Sequence, residues 1–110
     1  MAPLLQSAST SSDGHAIVTL RGDLDVDTAA HLWQFLGYLI LQGHNHIVLD
    51  LRGMILIDSA GVDVITRASA WTHREGGDLV LRSASPSVAE QLEFARLAEA
   101  NRSDPTAAGD

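Results

Sequence analysis

Apolar and polar residues alternate near the start of the chain, and this period of two predicts a strand. Residues 16–21 read AIVTLR, with Ala, Val and Leu on one face and Ile, Thr and Arg on the other. The turn sequence SSDG at residues 11–14 separates them from a weaker strand candidate at residues 4–10. We therefore expect the chain to open with a β-hairpin.

The following segments have a helical period. Apolar residues recur every three or four positions in residues 29–42 and again in residues 59–75, which predicts two helices. Asp27 or Thr28 is the expected N-cap of the first helix. Glycines in the sequences GHNH and EGG follow the predicted C-termini of the two helices, where glycine commonly ends a helix.

Two further strands and a third helix complete the pattern. Residues 47–57 form a nearly continuous apolar run, which is typical of a strand buried on both faces, and the sequence RGM is expected to bend it. Residues 78–83 predict another strand. Residues 85–100 predict a helix with Ser85 as its N-cap and Pro86 at its first position.

The order of these elements, β-β-α-β-α-β-α, predicts the fold class. Strands that alternate with helices after an opening hairpin indicate an α/β domain with a mixed sheet of four to five strands and about three helices. A chain of 110 residues has room for one such domain. We expect the domain to occupy residues 1–100 and to be followed by a polar, flexible tail at residues 101–110.

Composition and charge exclude several classes of function. Because the chain has no cysteine and no lysine, disulfides, zinc–thiolate sites, Schiff-base chemistry and a P-loop are excluded. The net charge is −7 and the arginines are scattered, so nucleic acid is not an expected partner. His44 and His46 lack an accompanying carboxylate motif, and we expect neither a metal nor a cofactor. The sequence predicts no membrane span and no signal peptide, which favours the cytoplasm.

The sequence LIDSAGVD at residues 56–63 joins an apolar strand to a helix, and three roles are open for its serine. Ser59 could be a nucleophile, but the G-x-S-x-G motif of hydrolases is incomplete, and we predict no catalytic residue. Asp58 or Ser59 could cap the helix. Ser59 could also be a phosphorylation site, because the unpaired N–H groups of a helix N-terminus favour an anion.

Three segments in order resemble the STAS-domain family, in particular the bacterial anti-sigma factor antagonists. They are LRGDLDVDTA, similar to that family's G-[ED]-L-D-x-x-T-A; HIVLDLRGMILIDSAGVDVI, similar to its strand followed by I-D-S-[STA]-G-[LV]; and GGDLVLRSASPSVAEQLE, similar to its G-G-x-L-x-L-x-x-x-S-P-x-V. Together they cover about residues 16–98. Each segment is weak evidence alone, whereas the three together are specific.

The resemblance implies a phosphorylation switch and its site. Unphosphorylated antagonists of this family bind an anti-sigma factor that is also a serine kinase, phosphorylation by ATP releases them, and a phosphatase resets them. The phosphorylated serine corresponds to Ser59 and its preceding acid to Asp58. The resemblance also places Asp25 on the docking face. The predicted partner-binding residues are Asp25, Asp58, Ser59, Ala60, Gly61 and Asp63, with Gly61 expected to let the kinase approach closely.

Two departures from the family pattern bear on this switch. Ala60 stands where many members have a second hydroxyl residue, and Asp63 stands where a glycine is common. Asp63 is expected to alter the choice of partner or to oppose phosphorylation. The alternative function is a non-switching STAS subunit that serves as a scaffold in a sensory or lipid-transport complex. We expect a monomer or a weak dimer.

Overall fold

The computed structural model describes residues 3–93, which form a mixed sheet with the strand order β1-β2-β3-β4. Its strands are β1 (Leu5–Thr10), β2 (Ala16–Leu24), β3 (His46–Ile57) and β4 (Asp78–Arg82). β1 pairs antiparallel with β2, while β2, β3 and β4 run parallel. The predicted mixed α/β fold and its element order are confirmed, with four strands.

Each parallel connection contains one helix. Helix α1 (Ala29–Leu41) joins β2 to β3, and helix α2 (Ser59–Arg74) joins β3 to β4. A third helix, α3, begins at residue 86 and continues to residue 93, where the described part of the chain ends. The remainder of the predicted third helix and the predicted tail at residues 101–110 lie outside the described residues. None of the helices in residues 3–93 is long and apolar enough to span a membrane.

One hydrophobic core lies between the sheet and the helices. The alternate residues of β2 and β3 that face the helices are fully buried, as the period of two requires. They pack against the apolar stripes of α1 and α2 and against Val88 of α3. The largest buried side chains of this core are Leu20, Leu24, Leu32, Leu36, Ile47, Leu49 and Leu51.

The two long helices meet through their tryptophans. The rings of Trp33 on α1 and Trp71 on α2 lie 5.5 Å apart, centroid to centroid. Trp71 also covers Gly37, where an added Cβ would lie 3.4 Å from the ring. A glycine within a helix costs about 1 kcal/mol relative to alanine. At Gly37 an added Cβ would make ordinary van der Waals contact with the indole ring, so the packing of the two helices does not require this glycine.

The bend predicted at residues 52–54 does not interrupt β3. The strand continues through Gly53, and in this stretch its register against β2 shifts, between Thr19 and Arg21 and again between Gly22 and Asp23. The Arg21 side chain lies across Gly53 so closely that a Cβ added to that glycine would be 2.8 Å from Arg21 Cγ. β3 therefore extends far enough to end beside the end of β2, which positions the two loops described next.

Candidate functional site

The candidate site lies where two neighbouring parallel strands end. The last residues of β2 and β3, Leu24 and Ile57, are paired in the sheet. One residue further on, the Asp58 N–H donates a hydrogen bond to the Leu24 carbonyl oxygen at 3.1 Å. The β2–α1 loop (residues 25–28) and the start of α2 therefore form one continuous surface at this edge of the sheet.

Asp58 connects the two halves of this surface with its carboxylate. Its Oδ1 accepts a hydrogen bond from the Gly61 N–H at 3.1 Å, which makes Asp58 the N-cap of α2. Its Oδ2 accepts another from the Val26 N–H in the β2–α1 loop, also at 3.1 Å. One side chain thus satisfies a free N–H of the helix and holds the loop against it.

Ser59 is the first residue of α2 and is exposed. Within residues 3–93 its hydroxyl makes no hydrogen bond, since the capping role belongs to Asp58. The two helix-capping alternatives are thereby separated: Asp58 caps and Ser59 does not. The hydroxyl projects at the positive end of the helix dipole, where an anion is stabilised.

Asp25 shapes the β2–α1 loop from within. Its Oδ1 accepts hydrogen bonds from the N–H groups of Asp27 and Thr28, at 3.0 and 3.2 Å. The prediction that the Asp27 or Thr28 side chain caps α1 is therefore wrong. Thr28 occupies the N-cap position, but its side chain makes no capping hydrogen bond. The Thr28 hydroxyl donates instead to the Asp23 carbonyl oxygen at 2.9 Å. Asp25 orders the loop, and its half-buried side chain borders the surface.

Gly61 has an internal role that differs from the expected one. It is buried, and an added Cβ would lie 2.6 Å from Leu24 Cγ and 2.8 Å from the Leu24 carbonyl oxygen. The missing side chain therefore lets α2 pack onto the end of β2. Ala60 is also half-buried and packs against the core.

Asp63 lies one helical turn after Ser59, on the exposed side of α2. Its carboxylate is 3.4 Å from the Arg67 guanidinium, and both side chains remain more than half exposed. Arg67 in turn lies over the Trp33 ring, 4.7 Å from its centroid. Asp63 is thus partly neutralised by a cation that stacks on the α1–α2 interface.

Exposed apolar side chains flank these polar residues, and the sequence interpretation missed them. Val26 is 71% exposed, Ile55 67% and Leu56 50%. Two signals could have identified them. Val26 is an apolar residue that stands between two aspartates in DLDVDT, and neighbouring apolar residues of a strand cannot all face one core. Val26, Leu56, Asp58, Ser59 and Asp63 are together called the junction surface below.

Two histidines, His15 and His46, lie away from this surface. The rings of His46 and His15 are 5.3 Å apart at the opposite end of the parallel strands, and His46 Nδ1 is 3.0 Å from an Asp78 carboxylate oxygen. No group of three or more His, Asp or Glu side chains in residues 3–93 is arranged to hold a metal ion.

Comparison with known proteins identifies the family. A family model described as "Mlab, STAS domain" matches residues 7–101. The chain belongs to the STAS-domain family. This STAS domain carries Ser59 at its strand-to-helix junction, and the matched region includes every residue of the junction surface.

Solved structures of anti-sigma factor antagonists share the fold. SpoIIAA in its unphosphorylated form superposes with a TM-score of 0.69 at 16% identity, over 91% of this chain and 100% of that one. The phosphorylated form of the Bacillus cell fate determinant SpoIIAA gives 0.70 at 19% identity, over 86% of each chain. An antagonist from Mycobacterium paratuberculosis gives 0.67 at 22% identity, over 88% of this chain and 81% of that one. These similarities establish the architecture of this STAS domain.

Proposed function

We propose that this STAS domain is a bacterial anti-sigma factor antagonist that regulates sigma-factor-dependent transcription in the cytoplasm. With Ser59 unphosphorylated, it binds an anti-sigma factor that is also a serine kinase, and the sigma factor is released. Phosphorylation of Ser59 by that kinase breaks the complex, and a phosphatase restores the binding form. The domain itself acts by binding its partner. Ser59 accepts the phosphoryl group that the kinase transfers from ATP.

The observation that carries this proposal is that Asp58 caps α2, whereas the neighbouring Ser59 hydroxyl has no structural role in the described residues. Asp58 uses both carboxylate oxygens to cap α2 and to hold the β2–α1 loop. Ser59 is exposed beside it and contributes no hydrogen bond to the described structure. Its hydroxyl can therefore be modified while the cap remains intact, which is what a reversible switch requires.

Charge explains how such a modification would release a partner. A phosphoserine adds a charge of about −1.5 to −2 at pH 7. The N-terminus of α2 stabilises part of that charge, so the fold can accommodate it. Asp58 precedes Ser59 and Asp63 lies one turn after it, so the added charge meets carboxylates already there. The partner would then face a strongly repulsive, hydrated group in place of a small hydroxyl.

Apolar contacts supply the binding that this repulsion opposes. Val26 and Leu56 are at least half exposed and lie on the two segments that Asp58 joins. Protein interfaces typically have an apolar centre with a polar rim. We propose that these side chains contact the kinase, with Asp25, Asp58, Ser59, Ala60 and Asp63 forming the surrounding rim and Gly61 supporting it from beneath.

The decisive experiment is capture of a partner from extract of the native bacterium. Tagged wild type, Ser59→Ala and Ser59→Asp are compared, and the bound proteins are identified by mass spectrometry. We expect wild type and Ser59→Ala to retain an ATP-binding serine kinase. The amount of this kinase captured by Ser59→Asp should be at least tenfold lower. The purified pair is then incubated with ATP, and phosphate is expected on Ser59 alone.

Ser12→Asp is the matched control, because it adds the same charge at an exposed serine in the β1–β2 turn, away from the strand ends that carry Ser59. It should retain the kinase as well as wild type. Equal retention by wild type, Ser59→Ala and Ser59→Asp would refute the switch.

A second candidate is a non-switching STAS subunit that serves as a scaffold in a sensory or lipid-transport complex. Asp63 favours it, because a second carboxylate beside Ser59 opposes phosphorylation, and the family model that matches bears the description "Mlab, STAS domain". A scaffold would retain the same partner in all three Ser59 forms and would acquire no phosphate. Failure of Ser59 to react with a fluorophosphonate probe would separate both candidates from a serine hydrolase.

A further inference from the structure

Strand β1 lies at the edge of the sheet, and β2 separates it from β3, the strand that leads into α2. It pairs with β2 on one side, and in residues 3–93 no strand pairs with its other side. The backbone groups on that side are therefore available to another strand. Natural sheets usually protect such an edge with charged residues, proline or a bulge. β1 has the sequence LQSAST and contains no charge and no proline.

A groove runs beside this edge. Its volume is about 550 Å³, and it is lined by Leu4, Leu5 and Gln6 on one side and by His31, Gln34 and Phe35 of α1 on the other. Leu5 is 63% exposed at its mouth. The helix layer thus leaves part of β1 uncovered, so a neighbouring strand could approach the edge without displacing α1.

Gln6 adds a specific chemical requirement. Its side-chain Oε1 is buried and has no hydrogen-bond donor among the described residues. Buried amide oxygens in native structures nearly always accept a hydrogen bond. Whatever binds here should supply both the backbone groups of a strand and a side-chain donor that reaches Gln6.

We infer that the occupant is a second copy of this chain, whose β1 pairs antiparallel with the first about a two-fold axis at Ala8. This register places Gln6 of one copy directly opposite Thr10 of the other. Gln6 and Thr10 are paired with Leu20 and Ala16 of β2, which both face the core, so the two side chains lie on the same face of the sheet. When the Gln6 side chain turns out of its buried position toward the edge, its Oε1 can accept a hydrogen bond from the Thr10 hydroxyl, and the two-fold symmetry makes this contact twice.

The small neutral residues of β1 explain why a second copy can approach although each chain has a net charge of −7. Ala8 faces itself, and Ser7 lies opposite Ser9, so no like charges meet. The strand contact is short, and its area falls below the roughly 800 Å² per partner of a standard interface. The dimer should therefore be weak and should form in a concentration-dependent manner.

A cysteine cross-link tests this pairing directly, because the natural chain contains no cysteine. Directly opposed residues of an antiparallel pair have Cα atoms about 4.5 to 5.5 Å apart, within the range of a disulfide. Ala8→Cys should give a disulfide-linked dimer under mild oxidation, at least fivefold more than Ser7→Cys or Ser9→Cys. Ala70→Cys, at an exposed position on α2, is the control for random collision.

Sedimentation velocity over a concentration series gives the second test. Ala8→Lys sets two positive charges against each other at the axis and should weaken the dimer at least tenfold. Thr10→Val removes the donor to Gln6 and should weaken it several-fold, whereas Ser7→Ala should have little effect. A wild type that remains monomeric up to millimolar concentration overturns the proposal, and so does a disulfide yield at Ala8 no higher than at Ala70. A maximum yield at Ser7 overturns the register and with it the Gln6–Thr10 contact.

Discussion

The Asp58 carboxylate accepts a hydrogen bond from the Val26 N–H, although the two residues are 32 positions apart in the chain. The same carboxylate caps α2 through the Gly61 N–H. The β2–α1 loop and the start of α2 are therefore held together by one side chain. The geometry around Ser59 depends on this connection, and the predictions below begin with it.

Replacement of Asp58 should reveal both of its contacts. Asp58→Ala removes the helix cap and the tie to the loop, and should reduce the free energy of unfolding by about 2 kcal/mol. Asp58→Asn keeps an oxygen for the Gly61 N–H but turns an amide toward the Val26 N–H, so about half of that loss is expected. Urea denaturation measures both. An alanine variant as stable as wild type would show that these contacts contribute nothing.

Gly61 and Gly37 form a matched pair of helical glycines with opposite surroundings. Gly61→Ala places a Cβ 2.6 Å from Leu24 Cγ, and should destabilise the domain by about 1 to 3 kcal/mol through overpacking. Gly37→Ala places its Cβ 3.4 Å from Trp71, where it fits, and gains helix propensity. It should be neutral or stabilising by up to about 1 kcal/mol. The midpoint temperature of thermal unfolding should therefore fall for Gly61→Ala and should stay the same or rise for Gly37→Ala.

Asp50 should make stability depend on acid pH. The Arg52 N–H donates to its carboxylate at 3.0 Å, and this hydrogen bond, with the Arg52 and Arg82 charges nearby, holds the pKa of Asp50 below its ordinary value. A carboxyl group whose pKa is lowered on folding stabilises the protein above its unfolded pKa, and this stabilisation is lost as pH falls through its folded pKa. Asp50→Asn should therefore cost about 1 to 2 kcal/mol at neutral pH and progressively less below about pH 4.

The control for Asp50 is Asp13→Asn. The Ser11 hydroxyl lowers the pKa of Asp13 as well, but the Asp13 side chain is 63% exposed while that of Asp50 is 11% exposed. Its replacement should change the pH profile much less. Chemical denaturation from pH 3 to 7 distinguishes the two variants. If the stability difference between wild type and Asp50→Asn did not vary with pH, the stabilising role of the ionised Asp50 carboxylate would be contradicted.

Asp63 should slow the phosphorylation of Ser59 if the proposed function holds. A like-charge pair one helical turn apart costs about 0.2 to 0.5 kcal/mol, so Asp63→Asn should raise the rate by about twofold. Glu75→Gln removes the same charge just beyond the other end of α2 and is the control. Phosphate incorporation by the captured kinase is the measurement, and equal rates for both variants would exclude a role for Asp63 in the charge balance.

The pattern of the sequence was sufficient for the order of strands and helices, and it placed Ser59 where a strand gives way to a helix. The period of two in β2 and the helical period of α1 and α2 identified the elements, because each element must turn its apolar residues toward one core. The junction at Ser59 followed from the end of an apolar strand and the start of a helix. At residues 52–54, where the sequence predicted a bend, the structure has an uninterrupted strand whose register against β2 shifts twice; these shifts could not be predicted, because pairing between strands is not encoded locally.

By itself, the sequence determined the order of strands and helices, the chemistry available at Ser59 and the acidic character of its surroundings. Only the tertiary structure decided which residue does which task. It assigned the cap to Asp58, an internal packing role to Gly61 and exposure to Val26 and Leu56. The physical reason is that capping, close approach and exposure depend on distances between segments that are distant in the chain. Those distances exist only after β2 and β3 have paired and α2 has packed against their ends.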